Sequence, residues 1–457
     1  DMQKRFGIVL ALIVTYRLLS HIPVPLAEPS RLQEVIASFL SASDFGGFLN
    51  LLSGGALAQL SIVLVGLSPF ITASIITQLL TKAIPKLEQL HKDGESGRRK
   101  IHQWTRMMTL PLAIIQSIAF IYILRQSVLA GNTTVLGDAS ITDWVVAVSA
   151  MTAGSMLLMW FGELITERGI GNGISMLIFA GIISQLPSTL TTLWTSLVDT
   201  SQGGLQVFNW FEIPLNPTIF YVMIALGSLA LLMLYLLVKI NEAQRVITIN
   251  YAKRVQGNSS YGGIKSVLPV KMIAAGVIPV IFAVAFLSLP AFVGQVLKST
   301  GNEAYATIAD NLVRWFQAPN PGEFTGATGE AFIYPVIYFL LVMLFTYFYT
   351  GIVFNSNEIS ENLQKQGAFI EGIRPGLTTE KYLNKVVNRL MLFGATVLGL
   401  IAVTPFAVEY LLYNFTGITN TNLAIGGTGL LIVVTVSLES LRQINSRALM
   451  VTYDDYK

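Results

Sequence analysis

The chain has 457 residues, 53% hydrophobic and 12% charged, with a formal net charge of +3 and no cysteine; its mean hydropathy is +0.62. The charged fraction is about half the roughly 25% of a soluble domain. Apolar runs of about 20 residues, enough to cross some 30 Å of hydrocarbon, recur from end to end and leave no room for a separate soluble domain. Disulfides, thiolate metal sites and cysteine nucleophiles are excluded, and His21, His91 and His102 have no metal-ligand spacing. No Gly-Lys dipeptide occurs, so there is no phosphate loop. No metal or cofactor is expected, and any ATP-driven work falls to a partner.

Apolar length between charged or Pro/Gly-rich stretches predicts helices near 6-22, 60-81, 107-128, 143-164, 173-188, 217-239, 273-293, 332-354, 390-408 and 424-438. The first follows two basic residues and precedes no small-residue cleavage site, so it is expected to remain as a helix. After it comes the stretch Phe45-Gly-Gly-Phe-Leu-Asn-Leu-Leu-Ser-Gly-Gly-Ala-Leu57, apolar but too short and Gly-rich to span. Such a segment is either re-entrant or an ordinary amphipathic helix outside the membrane. The second and seventh helices share a core, Gly66-Leu-Ser-Pro69 and Gly276-Val-Ile-Pro279. Ten helices divide into five plus five, and because five is odd the halves are inverted, a transporter plan in which the path runs between them. Gly and Pro are also simply frequent in membrane helices.

Loop charge assigns the sides. The stretches 1-5, 82-106, 163-172, 239-271, 356-389 and 439-457 hold 2, 7, 1, 6, 5 and 3 Lys and Arg, together 24 of the 29. Acidic residues divide 14 against 12, so the asymmetry belongs to Lys and Arg, as the positive-inside rule requires. Both termini are expected to be cytoplasmic. Two of the basic loops look too structured for spacers. The alternation in Arg245-Val-Ile-Thr-Ile-Asn-Tyr-Ala-Lys-Arg254 suggests a strand, followed by a turn-rich stretch, and residues 356-389 include Gly372-Ile-Arg-Pro-Gly376. Any one basic loop could do no more than set topology; two such loops favour a docking surface for a large acidic or nucleic-acid-bearing partner.

The middles of the ten segments carry no ionisable residue. Arg17, Arg125, Glu163, Lys239, Arg389 and Glu409 fall near helix ends, where snorkelling explains them. An ion-coupled carrier needs buried ionisable groups, and the only polar cluster available to a solute carrier is Ser68, Thr72, Ser74, Thr77 and Gln78. No acid, base and nucleophile set for an intramembrane enzyme is visible, and the chain is not expected to be an enzyme.

At nine places, in order along nearly the whole chain, the sequence resembles the SecY family: Ser20-His-Ile-Pro-Val-Pro25, Leu52-Ser-Gly-Gly-Ala-Leu57, Ser68-Pro-Phe-Ile-Thr-Ala-Ser-Ile-Ile76, Gly94-Glu-Ser-Gly-Arg-Arg-Lys100, Glu167-Arg-Gly-Ile-Gly-Asn-Gly-Ile-Ser175, Tyr251-Ala-Lys-Arg254, Ala275-Gly-Val-Ile-Pro279, Gly372-Ile-Arg-Pro-Gly376 and Gly426-Gly-Thr-Gly-Leu-Leu-Ile432. The sequence departs from the family's pattern at Glu371, where proline is common, and at Val246, where a second basic residue often follows the one matched by Arg245.

The resemblance implies an all-α polytopic membrane protein of ten transmembrane helices, in two inverted five-helix halves (1-190 and 191-457) around a central pore. It implies the protein-conducting channel of the bacterial Sec translocon, in the inner membrane. The pore ring would be Ile71, Ile75, Ile178, Ile182, Ile281 and Ile432. Branched apolar side chains can close around a passing chain, and a narrow apolar neck empties of water; by sequence alone these isoleucines read as helix packing. The plug would be residues 45-57, with Phe45, Phe48, Leu49, Leu51, Leu52, Gly54 and Gly55. A lateral gate between the second and seventh helices would involve Ser68, Pro69, Gln78, Val277 and Pro279, with Gly and Pro leaving the helices able to shift. Through it an apolar segment leaves into lipid while a polar chain continues across. Arg245, Lys253, Arg254 and Arg374, in loops 241-271 and 356-389, would dock the motor ATPase SecA or the ribosome. Small SecE-type and SecG-type membrane subunits, preproteins with signal peptides, and membrane lipid complete the implied partners.

Overall fold

The computed structural model describes residues 2–25, 60–92, 94–130, 140–168, 171–198, 205–207, 211–213, 215–251, 254–256, 259–261, 265–273, 276, 278–300, 303–319, 329–416 and 427–454. In chain order the elements are α1 (Met2–Leu19), α2 (Ser68–Ala83), α3 (Pro85–Lys92), α4 (Glu95–Ala130), α5 (Ile141–Arg168), α6 (Gly173–Val198), the hairpin β1 (Leu205–Val207) and β2 (Phe211–Ile213), and α7 (Pro217–Glu242). Then come β3 (Gln244–Tyr251), β4 (Arg254–Gln256), β5 (Ser259–Tyr261), β6 (Lys265–Lys271), α8 (Ile278–Ser299), α9 (Glu303–Phe316), α10 (Ile333–Val353), α11 (Ser356–Lys365), β7 (Ala368–Ile370), α12 (Leu377–Thr416) and α13 (Gly427–Asp454).

Each of the ten expected segments coincides with a helix: α1, α2, α4, α5, α6, α7, α8, α10, α12 and α13. Among the described residues seven of these are long and apolar enough to cross a membrane, α4 to α8, α10 and α12. The protein is a multi-pass membrane protein. Starts are set by local chemistry. Asn216 Oδ1 accepts from the Thr218 and Ile219 amides with Pro217 in the first turn of α7, so the cap satisfies two donors that no helix carbonyl can reach. Asn172 Oδ1 does the same at α6, accepting from Ile174 N at 3.1 Å and Ser175 N at 3.3 Å.

Three expected boundaries are corrected. The second helix begins at Ser68 rather than near 60, because residues 60–67 form turns that end at Gly66, whose φ is +60°. The seventh begins at Ile278 rather than near 273, behind Gly276 at φ +62°. The shared Gly-x-x-Pro is therefore a helix start and not a loosened helix core. Glycine takes the left-handed turn, and the proline sits in the first helical turn, where its missing N–H would be unsatisfied anyway. Ser155 Oγ fixes the first of these starts by donating to the Gly66 carbonyl at 2.8 Å. The fifth helix continues past Pro187 to Val198 rather than ending near 188. Its last turns are Ser- and Thr-rich, and Ser188, Thr189 and Thr192 hydroxyls donate to the carbonyls of Gln185, Gln185 and Ser188. Hydropathy falls there while the helix does not.

Packing separates two bodies. In the first, α2, α4, α5 and α6 pack in sequence with α1 against α5 and α6; in the second, α8 packs on α10, α10 on α12, α12 on α13 and α13 on α7. The bodies meet along two seams. One is α2 and α4 against α8, and the other is α6 against α7 and α13. The segment after α1 pairs with the turns before α2 through Val24 N to Leu60 O at 2.7 Å and Ile62 N to Ile22 O at 3.0 Å.

On the side of the fold where α7 ends and α8 begins lies a three-stranded antiparallel sheet in the order β6-β3-β7. The register Ile249↔Ile370, Asn250↔Phe369 and Tyr251↔Ala368 stitches the loop after α7 to the loop before α12. The expected strand at 245-254 is there, as β3 and β4.

Candidate functional site: an apolar constriction between two helical bodies

The six isoleucines at 71, 75, 178, 182, 281 and 432 lie in one buried apolar cluster, each between 2% and 7% exposed. They come from α2 and α8 of the first seam and from α6 and α13 of the second. In α2 the four-residue spacing of Ile71 and Ile75 puts both on one face, and Ile178 and Ile182 repeat it in α6. Gly429 on α13 sits opposite Ile182, whose Cγ2 would be 3.5 Å from a Cβ added there. Side chains from both bodies thus fill the line where the bodies face each other.

At the first seam a narrow cleft is lined by Leu64, Val65 and Ser68 at the start of α2, Gln116 and Phe120 on α4, and Ser288, Leu289 and Phe292 on α8. Of the expected gate residues Ser68 lines it. Pro69 is buried in the first turn of α2, Pro279 is in the first turn of α8, Gln78 lies further along α2, and Val277 lies outside the described residues. The sequence reading missed Gln116, Phe120, Ser288, Leu289 and Phe292. A readable sign was present: Gln116 and Ser288 are polar residues inside two long apolar runs, and Pro290 interrupts the α8 hydrogen-bond ladder.

Of the polar cluster of α2, Ser74, Thr77 and the Gln78 amide nitrogen are engaged within the helices, while Gln78 Oε1 is buried without a hydrogen-bond partner among the described residues. Thr77 Oγ1 donates to the Ala73 carbonyl and accepts from Thr105 Oγ1 on α4 at 3.1 Å; Thr105 and Thr109 bond back to the Ile101 and Thr105 carbonyls. Gln78 Nε2 donates to Ser74 Oγ at 3.1 Å. The hydroxyls form a seam joining α2 to α4 and do not converge on a solute site.

Arg374 is exposed on a braced loop. Gly372 and Gly376 have φ of +77° and +95°, Thr379 Oγ1 donates to the Arg374 carbonyl at 2.9 Å, and Ser360 Oγ donates to the Gly376 carbonyl at 2.8 Å. Ile373 N bonds Ile370 O at 3.0 Å, which fastens this loop to the sheet that also presents the exposed Arg245. Arg254 lies in β4. Lys253 and the expected plug residues 45-57 lie outside the described residues.

One turn of α13, just past its apolar run, ties the sheet side of both bodies together. Arg442 Nη2 donates to the Asn241 carbonyl at the end of α7 at 3.2 Å. Ser440 Oγ is 3.4 Å from Met176 Sδ on α6, and a Cβ on Gly276 would be 3.6 Å from Glu439 Oε2. Burial holds the Glu439 carboxyl above the ordinary carboxylate range, with Lys271 and Arg442 pulling the other way.

With this geometry in place, comparison with known proteins is direct. The SecY family model matches residues 61–441. The protein translocase subunit SecY of Streptomyces galbus is 40% identical over 461 residues, spanning 100% of this chain and 97% of that protein. The chain belongs to the SecY family. The SecY subunit of Corynebacterium glutamicum is 38% identical, over 99% of this chain and 97% of that protein. Among solved structures the fold is similar to a protein-conducting channel, with a TM-score of 0.60 at 19% identity over 96% of this chain and 91% of that one. It is likewise similar to canine Sec61 in a ribosome-channel complex, with a TM-score of 0.56 at 18% identity over 97% of this chain and 91% of that one. The departures at Glu371 and Val246 leave family membership intact. Glu371 is exposed beside the braced loop, and Val246 is exposed on β3 opposite Pro269 of β6.

Proposed function

We propose that the chain is the channel subunit of a bacterial Sec translocon, moving unfolded preproteins across the inner membrane and releasing transmembrane segments sideways into lipid. What supports this is that six branched apolar side chains, on α2 and α8 of one seam and on α6 and α13 of the other, belong to a single buried cluster drawn from both helical bodies. A constriction between bodies can widen by parting them, whereas a packed core within one body cannot. Its apolar lining repels water when closed and offers no fixed polar partner to a passing chain, as a path for many sequences requires.

In this reading the α2–α8 seam is the lateral gate and the consecutive helices α6 and α7 form the opposite hinge. The ten helices span the bilayer with both termini cytoplasmic. Residues 45-57 close the outer side as a plug. The sheet carrying Arg245 and Arg374, with Lys253 and Arg254 beyond β3, is the docking face for a SecA-type motor or a ribosome, and SecE-type and SecG-type subunits cover lipid-facing helices. The engaged hydroxyls of α2 and α4 count against the solute-carrier alternative. Vesicles containing this chain, a SecE-type partner, SecA and ATP are expected to protect a secretory precursor from added protease only when all four are present. Precursor left fully digested by a demonstrably folded complex would refute the reading.

A further inference from the structure

We infer that α9 is a lipid anchor, with Tyr305, Ile308 and Trp315 seated at the headgroup–acyl boundary of the bilayer beside the C-terminal end of α8. This rests on the reading of α8 as a membrane-spanning helix. α9 crosses α8 at Gly294, the residue whose missing side chain allows the approach: a Cβ there would stand 2.9 Å from Leu312 Cβ and 3.1 Å from the Ala309 carbonyl oxygen. At about 100° per residue, Ala309, Leu312, Val313 and Phe316 make the face turned to α8, and Phe316 packs against both large apolar clusters. The opposite face is polar, with ion pairs from Asp310 to Lys298 at 3.0 Å and from Arg314 to Glu330 at 2.6 Å. Beside the face turned to α8 lie Ile308 and Trp315, 54% and 40% exposed, and Tyr305, 49% exposed, lies in line with that face nearer the start of α9. The apolar arc of α9 is wider than α8 covers.

Depth identifies what covers the remainder. Gly294 lies five residues before the end of α8 at Ser299, about 7 Å at 1.5 Å per residue. A helix crossing a span at that level is in the interfacial layer, where Trp and Tyr concentrate and where amphipathic helices sink an apolar face by roughly 5–10 Å. A partner in solution has no approach at that depth, and the neighbouring Val293 of α8 is exposed at the same level, where a spanning helix would meet lipid. Because α8 forms one side of the first seam, any outward movement of α8 carries α9 and its anchor through the interface, so the lipid there loads the seam.

The absence of cysteine makes a direct test possible. The full-length variants Ile308→Cys and Phe286→Cys, the second at a mid-span position of α8, are labelled with a small fluorophore and reconstituted in phosphatidylcholine–phosphatidylglycerol vesicles. The Ile308→Cys label is expected to be quenched most by a nitroxide carried near the headgroup and to be shielded from iodide, and the Phe286→Cys label most by a nitroxide deep in the acyl chains. Iodide quenching at Ile308→Cys, or shielding there from both iodide and nitroxide, with Phe286→Cys behaving as expected, overturns the anchor and leaves the span intact. A Phe286→Cys label that no lipid nitroxide reaches overturns the span itself, and the anchor with it.

Discussion

Ile281 is 7% exposed inside an apolar cluster drawn from both helical bodies, so an amide placed there has no partner and destabilises the closed junction by about 1–3 kcal/mol. Ile281→Asn and Ile71→Asn are expected to raise ion leak through reconstituted vesicles; an unchanged leak would make these residues packing alone. Arg374 has the opposite character. Its loop is held by backbone contacts while the guanidinium is exposed, so Arg374→Glu is expected to abolish motor-driven export with the melting temperature unchanged, and wild-type export rates would refute the docking role. Glu439 responds to pH. Because burial raises its pKa in the folded state, its contribution is fully present in acid and is lost as pH rises through that raised value. Glu439→Gln is therefore expected to melt above the parent chain in detergent at neutral pH and to match it in acid; a larger gain in acid would contradict the assignment.

Helices were legible where apolar length alone decides, and boundaries were not where a turn or a hydroxyl decides. The ten apolar runs read from the sequence recur as ten helices, because a span must satisfy its backbone internally. Gly66 and Gly276 were visible as a repeat, but whether such a glycine bends a helix or precedes it depends on its φ, which hydropathy does not report. The Ser/Thr-rich end of α6 was lost for a related reason: side chains that bond back to their own helix carbonyls leave no apolar signal. The cleft residues on α4 and α8 were missed because no sequence spacing relates Gln116 to Ser288; only the packing of α8 on α4 does. Close packing of α5 on α6 gives an element-scale prediction. A Cβ on Gly173 would collide with the Gly162 carbonyl, while one on Gly227 meets nothing within 4 Å. Gly173→Val is expected to cost roughly 1–3 kcal/mol, read as a lowered melting temperature, with Gly227→Ala near the parent value; the reverse order would show that α5 and α6 do not pack this way.

At the scale of the molecule the account depends on two bodies that can part along one seam while staying joined along the other. α13 ties the two bodies together on the side of the sheet: Arg442 holds the end of α7, Ser440 reaches α6, and Glu439 lies near Gly276 before α8. Ile432 stands two turns earlier in the same helix. The resemblance read from nine motifs supplied the pore, and the seams supply a physical reason for it, since the six isoleucines sit on α2 and α8 of the first seam and on α6 and α13 of the second. The most direct test uses single cysteines in this cysteine-free chain. A precursor with one cysteine is stalled mid-passage and oxidised against Ile71→Cys, Ile281→Cys, Ile432→Cys or, as a lipid-facing control, Leu392→Cys, which is 59% exposed. Disulfides to the first three and none to Leu392→Cys are expected, and a stalled precursor that bonds to Leu392→Cys but to none of the isoleucine positions would contradict the central path.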